Sequence, residues 1–148
     1  MIVAERILLT VAIAIGIVVL WQVYNRLAVR RLAQTAPRDP LLVSLSSRVP
    51  TILYFSTQHC APCKTQQVPA LKQLEHEWGE RMHVVYVDCE QQPEAADRWG
   101  VFSVPTTFVL DSEHKPTAVN RGVASATTLQ RQLEAISSIT ISKGISAA

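Results

Sequence analysis

The chain's reactive side chains gather between residues 56 and 71, STQHCAPCKTQQVPAL, where Cys60 and Cys63 stand three positions apart. Two thiols so spaced can exchange a dithiol for a disulfide, supply half of a metal site, or lie buried and inert. The flanking pattern bears on the choice. A short apolar run rich in β-formers, TILYFS (51–56), comes just before, and Ala70, Leu71, Leu74 and Trp78 recur at helical spacing just after. Cys60 therefore falls at the mouth of a helix and Cys63 one turn into it, with Pro62 in a first turn that does not need its missing N–H. Unpaired N–H groups and the positive end of the helix dipole favour an anion there, so a thiolate at Cys60 is stabilised. Such a pair can open a substrate disulfide through Cys60 and release the mixed disulfide when Cys63 attacks in turn.

The elements that must hold this turn follow from the rest of the pattern. HVVYVD (83–88), TTFVL (106–110) and TAVNR (117–121) read as strands, the last two joined across the polar turn DSEHKP as a hairpin. SATTLQRQLEAI closes the series as a capped amphipathic helix through Leu129, Leu133 and Ile136. Strand, helix, strand, short helix, hairpin, helix is an α/β plan, with a sheet covered by helices on both faces.

With these residues in place the chain resembles the thioredoxins. CAPCK at 60–64 is similar to their active-site signature, with Ala61 where glycine is usual; VPT at 104–106 resembles their cis-proline turn; Gly122 before a capped helix resembles their closing segment. The likeness covers about Thr51 to Ile136. It implies a thioredoxin fold, a central mixed sheet flanked by helices, with Cys60 as nucleophile and Cys63 as resolving thiol. It also implies a substrate-facing surface of Val104, Pro105, Ala61 and Pro62, with Pro105 beside the sulfurs. No cofactor is implied. The partners implied are disulfide-bonded protein substrates and an electron donor, either thioredoxin-reductase-like or in the membrane.

Three departures mark this chain. Tyr54 stands where the family keeps a buried aspartate, and reads either as a packed strand residue or as a tuner of the second thiol. His59 replaces the tryptophan before the first cysteine; a protonated imidazole there lowers the Cys60 pKa, whereas an exposed loop histidine does nothing. Pro69 lies one position later than the usual helix-kinking proline, which keeps the kink and leaves its direction open.

Ahead of the domain, Ile7 to Trp21 carries no charge, and Val23 and Tyr24 extend the apolar stretch. Roughly 18 residues at about 1.5 Å each span about 27 Å, the short end of a bilayer core. Residues 7–24 read as one transmembrane helix contacting lipid, with Trp21 and Tyr24 at the interface. A cleaved signal peptide is the rival, but the basic residues follow the apolar run, and Arg30 and Arg31 separate it from the small-residue site AQTA. A buried core helix needs more surrounding protein than this chain supplies. Arg26, Arg30, Arg31 and Arg38 after the span outnumber Arg6 before it, which places the soluble domain on the cytoplasmic side of the cell membrane, single-pass. The extracytoplasmic side is the alternative. The organisation expected is an anchor (1–24), a juxtamembrane segment and linker (25–44) with one short strand at Leu41–Leu45, the thioredoxin-like domain (45–138) and a tail (139–148).

Composition narrows the function. A formal charge of +2 without aromatics interleaved among the basic residues gives no reason to expect nucleic-acid binding. Cys89, the third of three cysteines, is odd; it reads as a buried strand-end thiol, with intermolecular pairing or redox regulation as the alternatives. His59, Cys60, Cys63 and Cys89 provide four zinc or Cu(I) donors, yet no second paired motif accompanies them and no metal is expected. A non-catalytic scaffold needs neither active-site cysteine. The reading is a membrane-tethered protein-disulfide reductase, with an extracytoplasmic oxidase, isomerase or cytochrome c maturation-type reductase as the alternative.

Overall fold

The computed structural model describes residues 2–36, 39–43, 45 and 49–145. Its elements are α1 (Ile2–Thr35), α2 (Pro40–Val43), β1 (Thr51–Ser56), a π-helical turn (Cys63–Gln67), α3 (Val68–Trp78), β2 (His83–Asp88), α4 (Pro93–Trp99), β3 (Thr106–Leu110), β4 (Pro116–Arg121) and α5 (Ala126–Ile145). A 3₁₀ turn, Gly79–Arg81, joins α3 to β2.

The four strands lie in the order β2-β1-β3-β4. β1 pairs parallel with β2, Tyr54 opposite Tyr86, and antiparallel with β3, Thr51 opposite Leu110. β3 and β4 form the expected hairpin, with an irregularity at Val109/Leu110. The helical crossover through α3 is what parallel pairing of β1 and β2 requires. The sheet is mixed and helix-flanked, as the sequence predicts.

Residues 51–55 are all buried, because β1 is central and covered on both faces. Alternation sends Ile52 and Tyr54 to one face, where they meet Leu71 and Leu74 of α3 and Leu129 and Leu133 of α5. Leu53 and Phe55 point to the other, against Trp99, Phe108 and Leu42. There the Trp99 and Phe108 rings sit edge-on at 5.0 Å and the Phe55 and Phe108 rings at 5.7 Å. Burying such aromatics on either side of one strand holds the β1 end, and so the cysteines beyond it, against both layers.

The segment before the domain departs from expectation. α1 does not stop at the apolar stretch but runs to Thr35, since nothing in YNRLAVRRLAQT breaks a helix. The strand expected at Leu41–Leu45 is instead one helical turn, Pro40–Val43. Asp39 and Pro40 explain it. The Asp39 carboxylate accepts the Leu41 N–H at 3.0 Å, a cap ahead of a first-turn proline. Ala36 and Leu42 are buried against the Trp99 side of the sheet, so at these residues the expected linker packs on the domain. The closing helix likewise runs on to Ile145 through the expected tail, which holds no proline. Arg38, one of the flanking arginines, lies outside the described residues.

Candidate active site

β1 ends at Ser56, and the turn that follows delivers Cys60 to the start of the site helix. Cys60 and Cys63 are joined as a disulfide with Cα atoms 5.2 Å apart. The two sulfurs are not equivalent. Cys60 is 8% exposed and Cys63 only 2%. The Cys63 backbone N–H donates to the Cys60 Sγ at 3.2 Å. That donor points directly at the Cys60 sulfur.

The helix carrying the pair begins irregularly. Cys63–Gln67 is a π turn, and regular α-helix starts at Val68 with Pro69 in its first turn. A π turn accommodates one extra residue. That extra residue matches the one-position displacement of Pro69. Within the turn Gln67 is fully buried, and its side-chain amide makes two hydrogen bonds to one residue. Nε2 donates to the Ala124 carbonyl at 3.1 Å, and Oε1 accepts the Ala124 N–H at 2.8 Å. The loop ahead of α5 is thereby tied to the site helix, and Ser125 caps α5 by accepting the Thr128 N–H at 3.2 Å.

The second wall of the site is the loop before β3. Its Val104–Pro105 peptide bond is cis. The Pro105 carbonyl accepts the Gly122 N–H at 2.8 Å, and Gly122 holds φ +96°, a conformation that disfavours any side chain. Ser103 accepts the Thr106 hydroxyl at 2.7 Å through its carbonyl. Val104 packs against the buried cluster that holds both cysteines, Tyr54 and Ala124. Ala61 and Pro62 are exposed beside the disulfide.

The remaining expected residues sort as follows. Tyr54 is 1% exposed, in the same cluster as the sulfurs, and its hydroxyl lacks a hydrogen-bond partner among the described residues. Burial pushes its pKa up, so it stays a neutral phenol and is no carboxylate substitute. His59 is exposed in the turn before Cys60. Cys89 is half-buried and unpaired, and packs with the Trp99 side of the sheet instead of with the disulfide. Burial and then the neighbouring Asp88 charge push its thiol pKa up, the reverse of activation. No cluster of three or more His, Cys, Asp or Glu suited to a metal occurs among the described residues.

Sequence reasoning passed over Gln67, Asp39 and Phe102. Gln67 had a signal, a polar residue in the buried i, i+4 row from Cys63 to Leu71. Asp39 had another, an aspartate directly before a proline.

A helix-flanked mixed sheet with a disulfide at a helix mouth, its cluster packed by the residue before a cis proline, defines a thioredoxin-like thiol–disulfide oxidoreductase. The family model described as TraF, F plasmid transfer operon protein, matches residues 28–133, and the chain belongs to that family. It is similar to the thioredoxin of Bacillus subtilis, 39% identical over 66 residues covering 44% of this chain and 62% of that one. It is also similar to thioredoxin 1 of Nostoc sp., 29% identical over 90 residues covering 61% of this chain and 82% of that one. A solved malaria-parasite thioredoxin-2, described as a component of protein secretion machinery, shares the fold with TM-score 0.55 at 23% identity. That match covers 58% of this chain and 82% of the other.

Proposed function

We propose that this chain is a membrane-tethered protein-disulfide reductase. The Cys60 thiolate attacks one sulfur of a substrate disulfide and expels the other as thiolate. The Cys63 thiolate then attacks the Cys60 Sγ, releases the second substrate thiol and leaves the Cys60–Cys63 disulfide. Two electrons pass to the substrate in each cycle, and a dithiol donor, thioredoxin-reductase-like or in the membrane, restores the pair. Val104, Pro105, Ala61 and Pro62 face the substrate in this reading. The carrying observation is the Cys63 N–H on the Cys60 sulfur, which favours Cys60 as attacking and leaving group.

Anchoring is supported by Arg6–Tyr24, 19 residues long and apolar enough to cross a bilayer, none of them buried in the protein. Against cleavage at AQTA stand the unbroken course of α1 through that site and the burial of its last residue, Ala36. The arginines after the span favour a cytoplasmic domain.

Equilibrating the full chain in detergent micelles with glutathione and with dithiothreitol tests the direction of exchange. A potential near the thioredoxin end, about −270 mV, supports the reductase. One near the oxidant end, about −120 mV, replaces it with an oxidase or isomerase outside the membrane. Labelling of Cys60 in intact cells by a membrane-impermeant thiol reagent after reduction decides the side.

A further inference from the structure

Outside α1, large apolar side chains lie exposed at four described positions, Val43, Tyr86, Phe102 and Val123. Phe102 stands apart at 88% exposure. Neither the fold nor the dithiol exchange accounts for it. The same loop supplies its neighbours: Trp99, three residues earlier, is buried at 2%, and Pro105, three residues later, is the cis proline of the site. The loop is fastened on both sides of the phenylalanine. Val101 N–H donates to the Ala96 carbonyl at 2.9 Å, Ser103 accepts the Thr106 hydroxyl, and Pro105 accepts Gly122. Phe102 is thus held out on a fixed segment.

Two further observations point to what it meets. The Val104 backbone, two residues on, takes part in no hydrogen bond among the described residues. An extended peptide lying along the disulfide finds a free donor and acceptor there, the arrangement by which a strand adds to an open backbone. Small or apolar Ala61, Pro62 and Val123 are exposed as well, the last adjoining the Gly122 that bonds to Pro105, alongside the polar His59, Lys64 and Ser103. His59, at the position of the missing tryptophan, offers no comparable flat apolar face.

We infer that Phe102 is a specificity-determining residue, selecting extended substrate segments that carry an aromatic or large aliphatic side chain within a few residues of the reacting cysteine. This deepens the reductase reading and rests on it. A backbone held at Val104 places neighbouring substrate side chains over the rim, and an aromatic contact there discriminates among sequences without touching the sulfurs. Phe102 takes no part in bond making, so its effect belongs to peptides and not to small disulfides.

The test uses the full chain in detergent micelles, reduced beforehand, with three oxidants: hydroxyethyl disulfide and two disulfide-linked peptides that differ only in a phenylalanine or a serine beside the cysteine. The native chain is expected to reduce the phenylalanine peptide about fivefold faster in kcat/KM, the scale of one aromatic contact. Phe102→Ser is expected to bring the two peptides level and leave hydroxyethyl disulfide unchanged, and Phe102→Leu to restore most of the preference. A native chain that reduces all three without preference overturns the inference alone, as does a preference that survives F102S, the result expected if Phe102 serves a lipid surface. A chain that reduces none of them overturns the reductase reading and the inference with it.

Discussion

Gln67 and Ala124 lie 57 residues apart in sequence, and the side-chain amide of the first meets the backbone of the second as one strand residue meets another. Both amide atoms are used, and both Ala124 backbone groups are satisfied away from water. Because Gln67 belongs to the π turn that also holds Cys63, this contact fixes the disulfide relative to the Gly122 turn and, through it, to Pro105.

Gln67→Ala leaves the N–H and carbonyl of Ala124 buried and unpaired. The expected loss is about 3 kcal/mol, since each orphaned group costs about 1–3 kcal/mol. Urea unfolding of the full chain in micelles measures it; a midpoint unchanged by the substitution counts against the clamp.

Asp39 ties the end of α1 to α4. Its carboxylate accepts the Trp99 indole N–H at 3.0 Å and Arg98 Nε at 3.0 Å, besides the Leu41 N–H. Burial opposes its ionisation, but the Arg98 hydrogen bond, the Leu41 bond, the Arg98 charge and the Trp99 bond outweigh that and hold its pKa below the usual carboxylate value. A depressed folded pKa adds stability that is full above the unfolded value, about 3.9, and fades as pH falls through the folded one. Asp39→Asn is therefore expected to cost about 2 kcal/mol at neutral pH. The gap to the native chain should narrow as pH drops below about 4. A gap independent of pH assigns the loss to packing alone.

The tyrosines set the alkaline limit. Burial, then the Glu75 charge and hydrogen bond, push Tyr86 up to about 12, and burial raises Tyr54 in the same direction. Both phenols keep their protons longer in the folded chain. Stability is then undiminished below the unfolded pKa, about 10, and declines as pH rises above it. Phenolate absorbance during alkaline titration should show two tyrosines ionising late, and Tyr86→Phe should remove one of them. Ionisation of every tyrosine together near the unfolded value contradicts this.

Exposure ranks Cys60 ahead of Cys63, and a raised thiol pKa holds back the half-buried Cys89. After reduction, a limiting amount of iodoacetamide is expected to label Cys60 first, with Cys63 and Cys89 lagging, as peptide mapping by mass will register. Cys60→Ser should abolish disulfide reduction, Cys63→Ser should accumulate a mixed disulfide with substrate, and Cys89→Ser should leave turnover within about twofold, as for substitutions remote from the chemistry. Label appearing first on Cys63 reverses the assigned roles.

The strands and the helix that frame the cysteines were legible because their patterns are strong: ILYF (52–55) is apolar at every position, and Leu129, Leu133 and Ile136 share one face. Cys60, Cys63 and Pro105 could be named because their types and spacing are rare outside this chemistry. What stayed hidden depends on long-range partners. Asp39 reads as a turn residue until Trp99 and Arg98 arrive from some sixty positions away. The π turn could not be read at all, since one added residue leaves helical periodicity almost unchanged while moving Pro69 out of register with the family. Phe102 looks like a core aromatic, and only the folded loop turns it outward.

The course of α1 carries one more consequence. The helix is 34 residues long, about 51 Å at about 1.5 Å per residue, and passes without a break from the apolar span into residues seated on the domain. Ala36 is buried, its carbonyl accepts the Asp39 N–H at 3.0 Å, and Asp39 is bonded to α4, so the end of the helix is fastened to the domain. On the membrane-anchored reading the disulfide rides at a set height on a rigid mast. It sweeps its surroundings only by rotation about the helix and drift in the bilayer plane, so a substrate must present its sulfurs at that altitude to be reduced.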